Sequence, residues 1–206
     1  IPGQPNAVVT KTYDDSGNLE TITDANGNTV THTWNSIGKP VTSTQPALPA
    51  GSNTISSNYD SRDWLQNTTN SLGHVMAREY DSAQRITALI DPLNRRSENT
   101  YDANGQILTS KDPLLRIKQY SYNDRGEMDI ETNPADEKTR YLYDKNGNRT
   151  QLTNRRGKIY GFKFDAANRL ESSVTPSGKT TSITYFDNNQ VKTVQEPSGQ
   201  IGRAHV

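Results

Sequence analysis

Apolar and polar residues alternate along most of this chain, in short runs bounded by Gly, Asn, Asp and Pro. Tyr160, Phe162 and Phe164 occupy every second position of one run, and Met128 and Ile130 do so in another. Alternation with a period of two, rich in Thr, Tyr and Val, is typical of half-buried β-strands. No stretch between the runs holds a 3.6-residue period. The pattern therefore predicts an all-β fold of short strands.

Aromatic residues recur at a fixed step and define a repeat. The spacing between successive members is 21 residues, with a single step of 25 between the second and the third. A period of this length indicates that one supersecondary unit is repeated in tandem. These nine residues, which we call the anchors and expect to hold the array together structurally, are Tyr13, Trp34, Tyr59, Tyr80, Tyr101, Tyr122, Tyr143, Phe164 and Tyr185.

Each repeat contains two turn signals, half a period apart. The first follows the anchor, as in Tyr101-Asp102-Ala103-Asn104-Gly105, where Asp precedes a residue that tolerates positive φ. Gln84 is the exception in that glycine-rich column. The second turn reads Asp-Pro or Asn-Pro in several copies, as at Asp112-Pro113, where proline pre-sets φ for a turn. Two turns and two strands make each repeat one β-hairpin.

The predicted array covers residues 1–200 as about nine 21-residue hairpin units. The four extra residues of the long step fall near 46–51, within a Pro- and Gly-rich segment that we expect to be a loop. Residues 201–206 fit no column of the repeat. We expect them to be an unstructured tail that is not native to the array.

The repeat resembles the YD repeat of the Rhs and teneurin families. The copies that carry the resemblance best begin at Tyr13-Asp14, Tyr101-Asp102 and Tyr143-Asp144, with Gly17, Gly105 and Gly147 four residues after each anchor. The resemblance implies antiparallel hairpins in a curved, spiralling sheet that forms part of a hollow shell. In bacterial Rhs proteins such a shell encloses a C-terminal toxic domain, whereas in teneurins it belongs to an extracellular adhesion receptor.

Composition and charge exclude several classes of partner. The 206 residues carry 23 basic and 23 acidic side chains, so the net charge is zero and no basic footprint for nucleic acid exists. No apolar run is long enough to span a bilayer, so we expect no membrane insertion by this segment. Cysteine is absent, which removes disulfides and thiol chemistry. Only 30% of the residues are hydrophobic, which leaves little material for a core.

No arrangement of residues predicts a catalytic, cofactor or metal site. Asp144 begins a segment resembling a calcium loop, but Arg149 and Arg155 stand where glycine and glutamate are required. His32 and His74 have no partner at metal-ligand spacing, and His32 is expected to pack beside the aromatic at position 34. Short basic pairs such as Arg155-Arg156 are interpreted as solvated turn residues. The expectation is that no residue is catalytic, that no cofactor or metal is bound, and that the chain is not an enzyme.

The sequence favours a structural function. The partners would be further repeats and an enclosed C-terminal domain of the same polypeptide, in a secreted or cell-surface bacterial protein of the Rhs polymorphic-toxin type. The alternative is a carbohydrate-binding or adhesive surface module, because repeated aromatic residues can stack on sugars of cell-surface glycans. An enzyme whose active site is assembled across repeats is a third reading, which nothing in the residue pattern favours.

Overall fold

The computed structural model describes residues 9–48 and 51–203, and within them it contains β-strands and turns without a helix. The strands are β1 (Thr10–Tyr13), β2 (Leu19–Thr23), β3 (Thr29–Trp34), β4 (Pro40–Leu48), β5 (Gly51–Tyr59), β6 (Leu65–Thr69), β7 (Val75–Tyr80), β8 (Ile86–Ile90), β9 (Arg96–Tyr101), β10 (Ile107–Lys111), β11 (Ile117–Tyr122), β12 (Met128–Thr132), β13 (Lys138–Tyr143), β14 (Arg149–Thr153), β15 (Ile159–Phe164), β16 (Leu170–Val174), β17 (Thr180–Tyr185), β18 (Val191–Gln195) and β19 (Ile201–Arg203). The predicted all-β fold of tandem antiparallel hairpins is confirmed.

The chain divides into an N-terminal block, Ile1–Glu98, and a C-terminal block, Asn99–Val206. In the N-terminal block each strand pairs antiparallel with the next along the chain, from β1 to β8 and on to the first part of β9. In the C-terminal block the same meander continues from β10 to β19. Each repeat of the sequence is therefore one hairpin of this meander.

Seventeen of the connections between strands share one turn geometry. In the first of them the Asp14 N–H donates to the Asn18 carbonyl, and the Gly17 N–H donates back to the Asp14 carbonyl, each at 2.9 Å. These bonds define a three-residue loop with a left-handed residue before the second strand. Glycine fills that position in ten turns, and Gln84 and Leu115 adopt φ values of 64° there. The backbone thus imposes the turn even where the sequence lacks the preferred residue.

The extra residues of the long repeat lengthen a hairpin. Strands β4 and β5 have nine residues each, compared with six or fewer in the other strands. Their pairing extends from Thr42 opposite Ser56 to Leu48 opposite Gly51, with an irregularity after Gln45. The loop predicted near 46–51 is therefore largely strand within the described residues, and positions 49–50 lie outside them.

The end of the described chain continues the sheet. Ile201–Arg203 forms β19, which pairs with β18 through Gln195 opposite Ile201 and Thr193 opposite Arg203. These three residues thus add a strand where an unstructured tail was expected. Residues 204–206 lie outside the described part, and the assignment of 201–206 as non-native to the array stays a prediction.

Very few side chains are buried. In the described residues Ala88 and Thr132 are the two buried ones, at 1% and 8% exposure. Ala88 lies on β8 between Glu79 of β7 and Glu98 of β9. The guanidinium of Arg96 bridges these two carboxylates at 2.6 to 2.7 Å, so it covers the small side chain beneath. Its hydrogen bonds hold the pKa of Glu79 below the usual value.

The two faces of the sheet carry different residues. Paired residues on neighbouring strands share a face, so the register gives the composition of each. One face of the N-terminal block, the threonine face, holds an unbroken row across β1 to β5 that consists of Thr12, Thr21, Thr31, Thr44 and Thr54. Hydroxyl groups meet at 2.7 Å between Thr12 and Thr21 and at 2.9 Å between Thr44 and Thr54. Cross-strand pairs of this kind stabilise a sheet that lacks a core.

The opposite face, the aromatic face, carries the anchors, and Tyr120, Tyr141 and Phe162 add an aromatic residue two positions before an anchor. In the C-terminal block this face contains Tyr120, Tyr122, Tyr141, Tyr143, Tyr160, Phe162 and Phe164. All seven are half-buried, although no second layer of secondary structure lies over them in the described chain.

Candidate functional site

The anchors lie at the ends of alternate strands, and each precedes a turn. A β-bulge lies beside the anchor in the described strand pairs, as between Ser121 and Tyr122, where Tyr122 lies opposite Met128. The bulge inserts one residue into the partner strand and interrupts the ladder locally. On the other side of β12 the ladder with β13 ends at Ile130 opposite Arg140, two residues short of Met128. The carbonyl of Met128 therefore lies beyond the end of that ladder.

The next anchor donates a hydrogen bond to that carbonyl. The Tyr143 hydroxyl lies 2.8 Å from the Met128 carbonyl oxygen, and the Tyr122 hydroxyl lies 2.9 Å from that of Ile107. The same bond recurs at Trp34, Tyr59, Tyr80 and Tyr185, each to the preceding repeat. A buried carbonyl without a partner is costly, so the bond both satisfies this group and joins adjacent hairpins.

The hydroxyl contact explains the choice of residue at the anchor. Eight of the nine anchors are Tyr or Trp, which can donate, and the exception is Phe164. Two ring pairs are found between described residues, His32 with Trp34 at 6.4 Å and Trp64 with Tyr80 at 5.6 Å between centroids. The role of the anchors as the structural hold of the array stays a prediction.

A second set of bonds joins several of the anchor turns to the next anchor turn. The side chain five residues after the anchor reaches the following turn: Gln106 Nε2 donates to the Gly126 carbonyl at 2.6 Å. Asn148 Nδ2 donates to Asn168 Oδ1 at 2.8 Å, and Arg169 donates to Asn189 Oδ1 at 2.8 Å. The residue pattern carries no signal for this contact, because the column holds Asn, Lys, Trp, Arg, Gln and Glu without a shared residue type.

Aspartate or asparagine at the start of a turn caps it. In fourteen of the seventeen turns Oδ1 accepts bonds from the backbone N–H groups two and four residues later, as at Asp144, where both distances are 2.9 Å. The Asn148 side chain donates a further bond to Asp144 and holds the pKa of that carboxyl below its usual value. The repeated Asp column is thus accounted for by turn capping. Of the other three turns, the first is capped by the Thr175 hydroxyl, which accepts from the Lys179 N–H at 3.2 Å. The turns that begin at Phe186 and Glu196 have no Asp or Asn at this position.

A recess on the aromatic face is a candidate for binding. It has a volume of about 490 Å³ and is lined by Glu131, Thr139, Tyr141, Asn154, Arg155 and Arg156. A similar recess of about 500 Å³ lies one repeat earlier, beside Tyr120 and Lys118. Glu131 lies between them and meets Arg155 at 3.2 Å and Lys118 at 3.9 Å. Arg155 is an exposed turn residue that also forms a surface ion pair.

The recess combines phenol rings with fixed charges. Burial raises the pKa of Tyr120 and of Tyr141, and the negative charge of Glu131 raises both further. Arg149 lies between the rings of Tyr141 and Phe162, with its guanidinium carbon 5.6 Å from each centroid. Such a surface offers aromatic stacking beside hydrogen-bond donors and acceptors.

The described residues contain no cluster of three His, Asp or Glu side chains that could hold a metal ion. The described part of the chain also has no helix of the length and hydrophobicity that a membrane span requires. Asp144 lies in a capped turn, as the other turn aspartates do, which agrees with its interpretation as a turn residue.

Antiparallel hairpins of one length, joined to their neighbours by recurring side-chain bonds, define an all-β repeat protein. The Teneurin YD-shell family model matches residues 50–201, and the RHS Repeat model matches residues 13–48. The chain therefore belongs to the YD-shell family, whose members are structural repeat shells. The resemblance found in the sequence is confirmed.

Solved structures give the same fold at low sequence identity. The crystal structure of TcdB2-TccC3 without its hypervariable C-terminal region superposes with a TM-score of 0.67 at 17% identity, covering 94% of this chain and 14% of that one. The TcdB2-TccC3-TEV crystal structure gives 0.64 at 14% identity, covering 93% and 15%. A Photorhabdus luminescens Tc holotoxin pore gives 0.59 at 15% identity, covering 93% and 15%. No curated protein matches the chain.

Proposed function

We propose that this chain is part of the wall of a β-shell that encloses a C-terminal toxin domain of the same polypeptide, in a secreted Rhs-type protein. The observation that carries the proposal is the continuous series of hairpins in which each repeat bonds to its neighbours, with both faces half-exposed. Such a series supplies a wall rather than a globular domain. The chain spans about a seventh of the length of the Tc toxin chains it matches, which agrees with a role as one segment among many.

Protection of the enclosed domain tests this function. The longer natural polypeptide would be treated with a protease under native conditions, and cleavage of the domain after the repeats would be followed over time. We expect that domain to resist digestion until the array is opened by mild denaturant. A matched variant that lacks half a repeat, residues 101–110, should lose the protection. Equal digestion of the domain in both proteins would contradict the shell.

In this proposal the repeat segment itself performs no chemistry. Many of its acidic side chains cap turns or form ion pairs, as Asp144 and Glu131 do, so these are committed to the fold. The purified chain should hydrolyse no ester, peptide or glycoside, and elemental analysis should find no stoichiometric metal. Turnover abolished by a single substitution would show that the segment is an enzyme after all.

Glycan binding is the second candidate function, and the recess beside Glu131 favours it. Tyr141 supplies a ring, Arg155 and Arg156 supply donors, and Glu131 supplies an acceptor. A glycan array would be screened with the chain and with Tyr141→Ala. The control is Leu142→Ala, because Leu142 is 54% exposed on the opposite face. Loss of a glycan signal in the first variant alone would support a surface-binding module at the cell exterior. An array without signal would leave the shell as the function.

A further inference from the structure

Three turns of the chain contain the dipeptide Asn-Gly at their third and fourth positions: Asn26-Gly27, Asn104-Gly105 and Asn146-Gly147. All three asparagines are exposed. Asparagine followed by glycine is prone to deamidation, because glycine has no side chain to hinder its own backbone nitrogen. Asparagine is accordingly counted among the thermolabile residues. The three sites share this local sequence and differ in the hydrogen bonds that join their turns to neighbouring turns.

The reaction begins with attack by the glycine backbone nitrogen on the asparagine side-chain carbonyl carbon. A carbon–nitrogen bond forms, the side-chain amide leaves as ammonia, and a five-membered imide remains. Water then opens the imide at either carbonyl, which yields aspartate or its β-linked isomer. No oxidant or cofactor is needed. The glycine nitrogen must be free to lose its proton, so its hydrogen bond within the turn has to open first.

The first site, Asn26, lies in a turn with few restraints. The Gly27 N–H donates to the Asp24 carbonyl at 3.0 Å, and the remaining bonds of this turn also stay within residues 24–28. Among the described residues no hydrogen bond joins it to another turn. A Cβ placed on Gly27 would meet nothing within 4 Å, so its surroundings are open.

The second site, Asn104, lies in a turn that is fastened to its neighbour. Gln106, two residues later, donates to the Gly126 carbonyl at 2.6 Å, so the turn cannot open without disturbing the next repeat. The side-chain amide of Asn104 itself makes no hydrogen bond that the described residues show. Its electrophilic carbon therefore remains free to rotate.

The third site, Asn146, is restrained at both reacting groups. Its own Nδ2 donates to Asn168 Oδ1 at 3.0 Å, and Asn148 donates to the same oxygen at 2.8 Å. A Cβ on Gly147 would lie 3.3 Å from the Glu127 carboxylate oxygen. A negative charge beside Gly147 opposes loss of a proton from its backbone nitrogen.

We propose that Asn26 is a site of spontaneous deamidation in the folded chain, and that inter-turn hydrogen bonds protect Asn104 partly and Asn146 most. The modification inserts an extra backbone methylene when the β-linked isomer forms. A three-residue loop closed by two backbone bonds does not accommodate that addition, so the hairpin of β2 and β3 weakens as the protein ages. The inference stands apart from the shell function and does not depend on it.

Peptide mapping by mass spectrometry tests the order of the three sites. The chain would be incubated at mildly alkaline pH, folded or in denaturant, and each peptide followed for the mass gain and for isoaspartate. In denaturant the three sites should react at similar rates, because each has the same following residue. In the folded chain Asn26 should react fastest, and Asn146 should be at least about fivefold slower than Asn26. Equal rates for these two sites, or an unmodified Asn26, would overturn the proposal.

A variant of the acceptor isolates the protective bond. Asn168→Gly removes the oxygen that holds Asn146 and suits the φ of 60° at this position. The control is Asn189→Gly. Asn189 occupies the equivalent position in the next anchor turn with a φ of 67°, and its side chain accepts a hydrogen bond from Arg169 rather than from Asn146. Deamidation at Asn146 should rise severalfold in the first variant and stay unchanged in the second. No rise in the first variant would overturn protection by this bond.

Discussion

The anchor at position 164 is a phenylalanine, which has no hydroxyl group to form the bond between repeats. Tyr143 donates to the Met128 carbonyl, whereas Phe164, one repeat later, has no group to donate to Arg149. Arg149 also interrupts the aliphatic column, since the equivalent residues include Met128 and Leu170. The repeat that ends at Phe164 therefore lacks a contact that its neighbours have.

Restoring the hydroxyl should stabilise the array. Phe164→Tyr is expected to raise the free energy of unfolding by about 1 kcal/mol, because the new bond satisfies a carbonyl that the ladder does not reach. Tyr143→Phe should lower it by a similar amount. Urea melts of both variants beside the parent measure the effect. If neither variant moves the midpoint, the hydroxyl bond contributes nothing to the coupling of repeats.

Turn-capping carboxylates should make the array sensitive to acid. The Asn18, Asn28 and Asn148 side chains donate to Asp14, Asp24 and Asp144, and these bonds hold the pKa of each carboxyl below 3.8. A carboxyl with a lowered folded pKa stabilises the fold above its unfolded pKa. That stabilisation is lost as the pH falls through the folded value.

We therefore expect the free energy of unfolding to be constant near neutrality and to fall below about pH 4. The triple variant Asp14→Asn, Asp24→Asn and Asp144→Asn keeps an Oδ1 acceptor in each turn, as natural Asn123 does. Its unfolding free energy should depend less on pH over the same range. Identical acid profiles for parent and variant would assign the acid sensitivity to other groups.

Among the secondary-structure elements, the turns show where backbone geometry prevails over residue preference. Leu115 adopts a φ of 64° and is 70% exposed, so its side chain gains little that could offset the left-handed conformation. Gly157 occupies the same position two repeats later with a φ of 71°. The pair differs in residue type but not in turn geometry.

This pair gives a reciprocal test. Leu115→Gly should stabilise the chain by about 1 kcal/mol, because a non-glycine residue pays roughly that much in the left-handed region. Gly157→Leu should destabilise it by a similar amount. Thermal melts followed by circular dichroism would report both, and a shift of the same sign in the two variants would refute strain as the cause.

The sequence predicted the elements well because every repeat restates them. The anchors, the Asp column and the glycine column located both turns of each hairpin, and even the Gln84 turn has the expected form. The side-chain bonds between repeats were not predicted. Gln106 and Arg169 occupy the same position of the repeat, but the only property they share is a hydrogen-bond donor. The preference for Tyr and Trp over Phe at the anchors was the available signal for the hydroxyl bond. The recess at Glu131 was not predicted either, because it needs Arg155 beside Glu131, and these residues are 24 positions apart in the sequence.

Across the whole molecule, stability should be a sum over repeats, because so few side chains are buried. Removing residues 101–121 takes out one full period and places Tyr122 21 residues after Tyr80. The alternation of every strand is preserved, so this shortened chain should fold with modestly lower stability. Circular dichroism and urea melts would compare it with the parent.

Removing residues 101–110 instead takes out one turn and one strand. The following strands would then lose their antiparallel partners, and their side chains would lose their place on the two faces. We expect this chain to aggregate or to melt without cooperativity. Similar behaviour of the two deletions would mean that the 21-residue hairpin is not the building block.

The bond from anchor to preceding hairpin also has a mechanical meaning. A force that peels strands from one end of the sheet breaks backbone ladders one after another, and each ladder alone resists only locally. The Tyr143 hydroxyl reaches past its own turn to the carbonyl of Met128 on the neighbouring strand. A hairpin therefore cannot separate from the sheet until this hydrogen bond also breaks, and its two strands should come free together. Extension under load should then proceed in steps of one repeat, each releasing about 70 Å of chain.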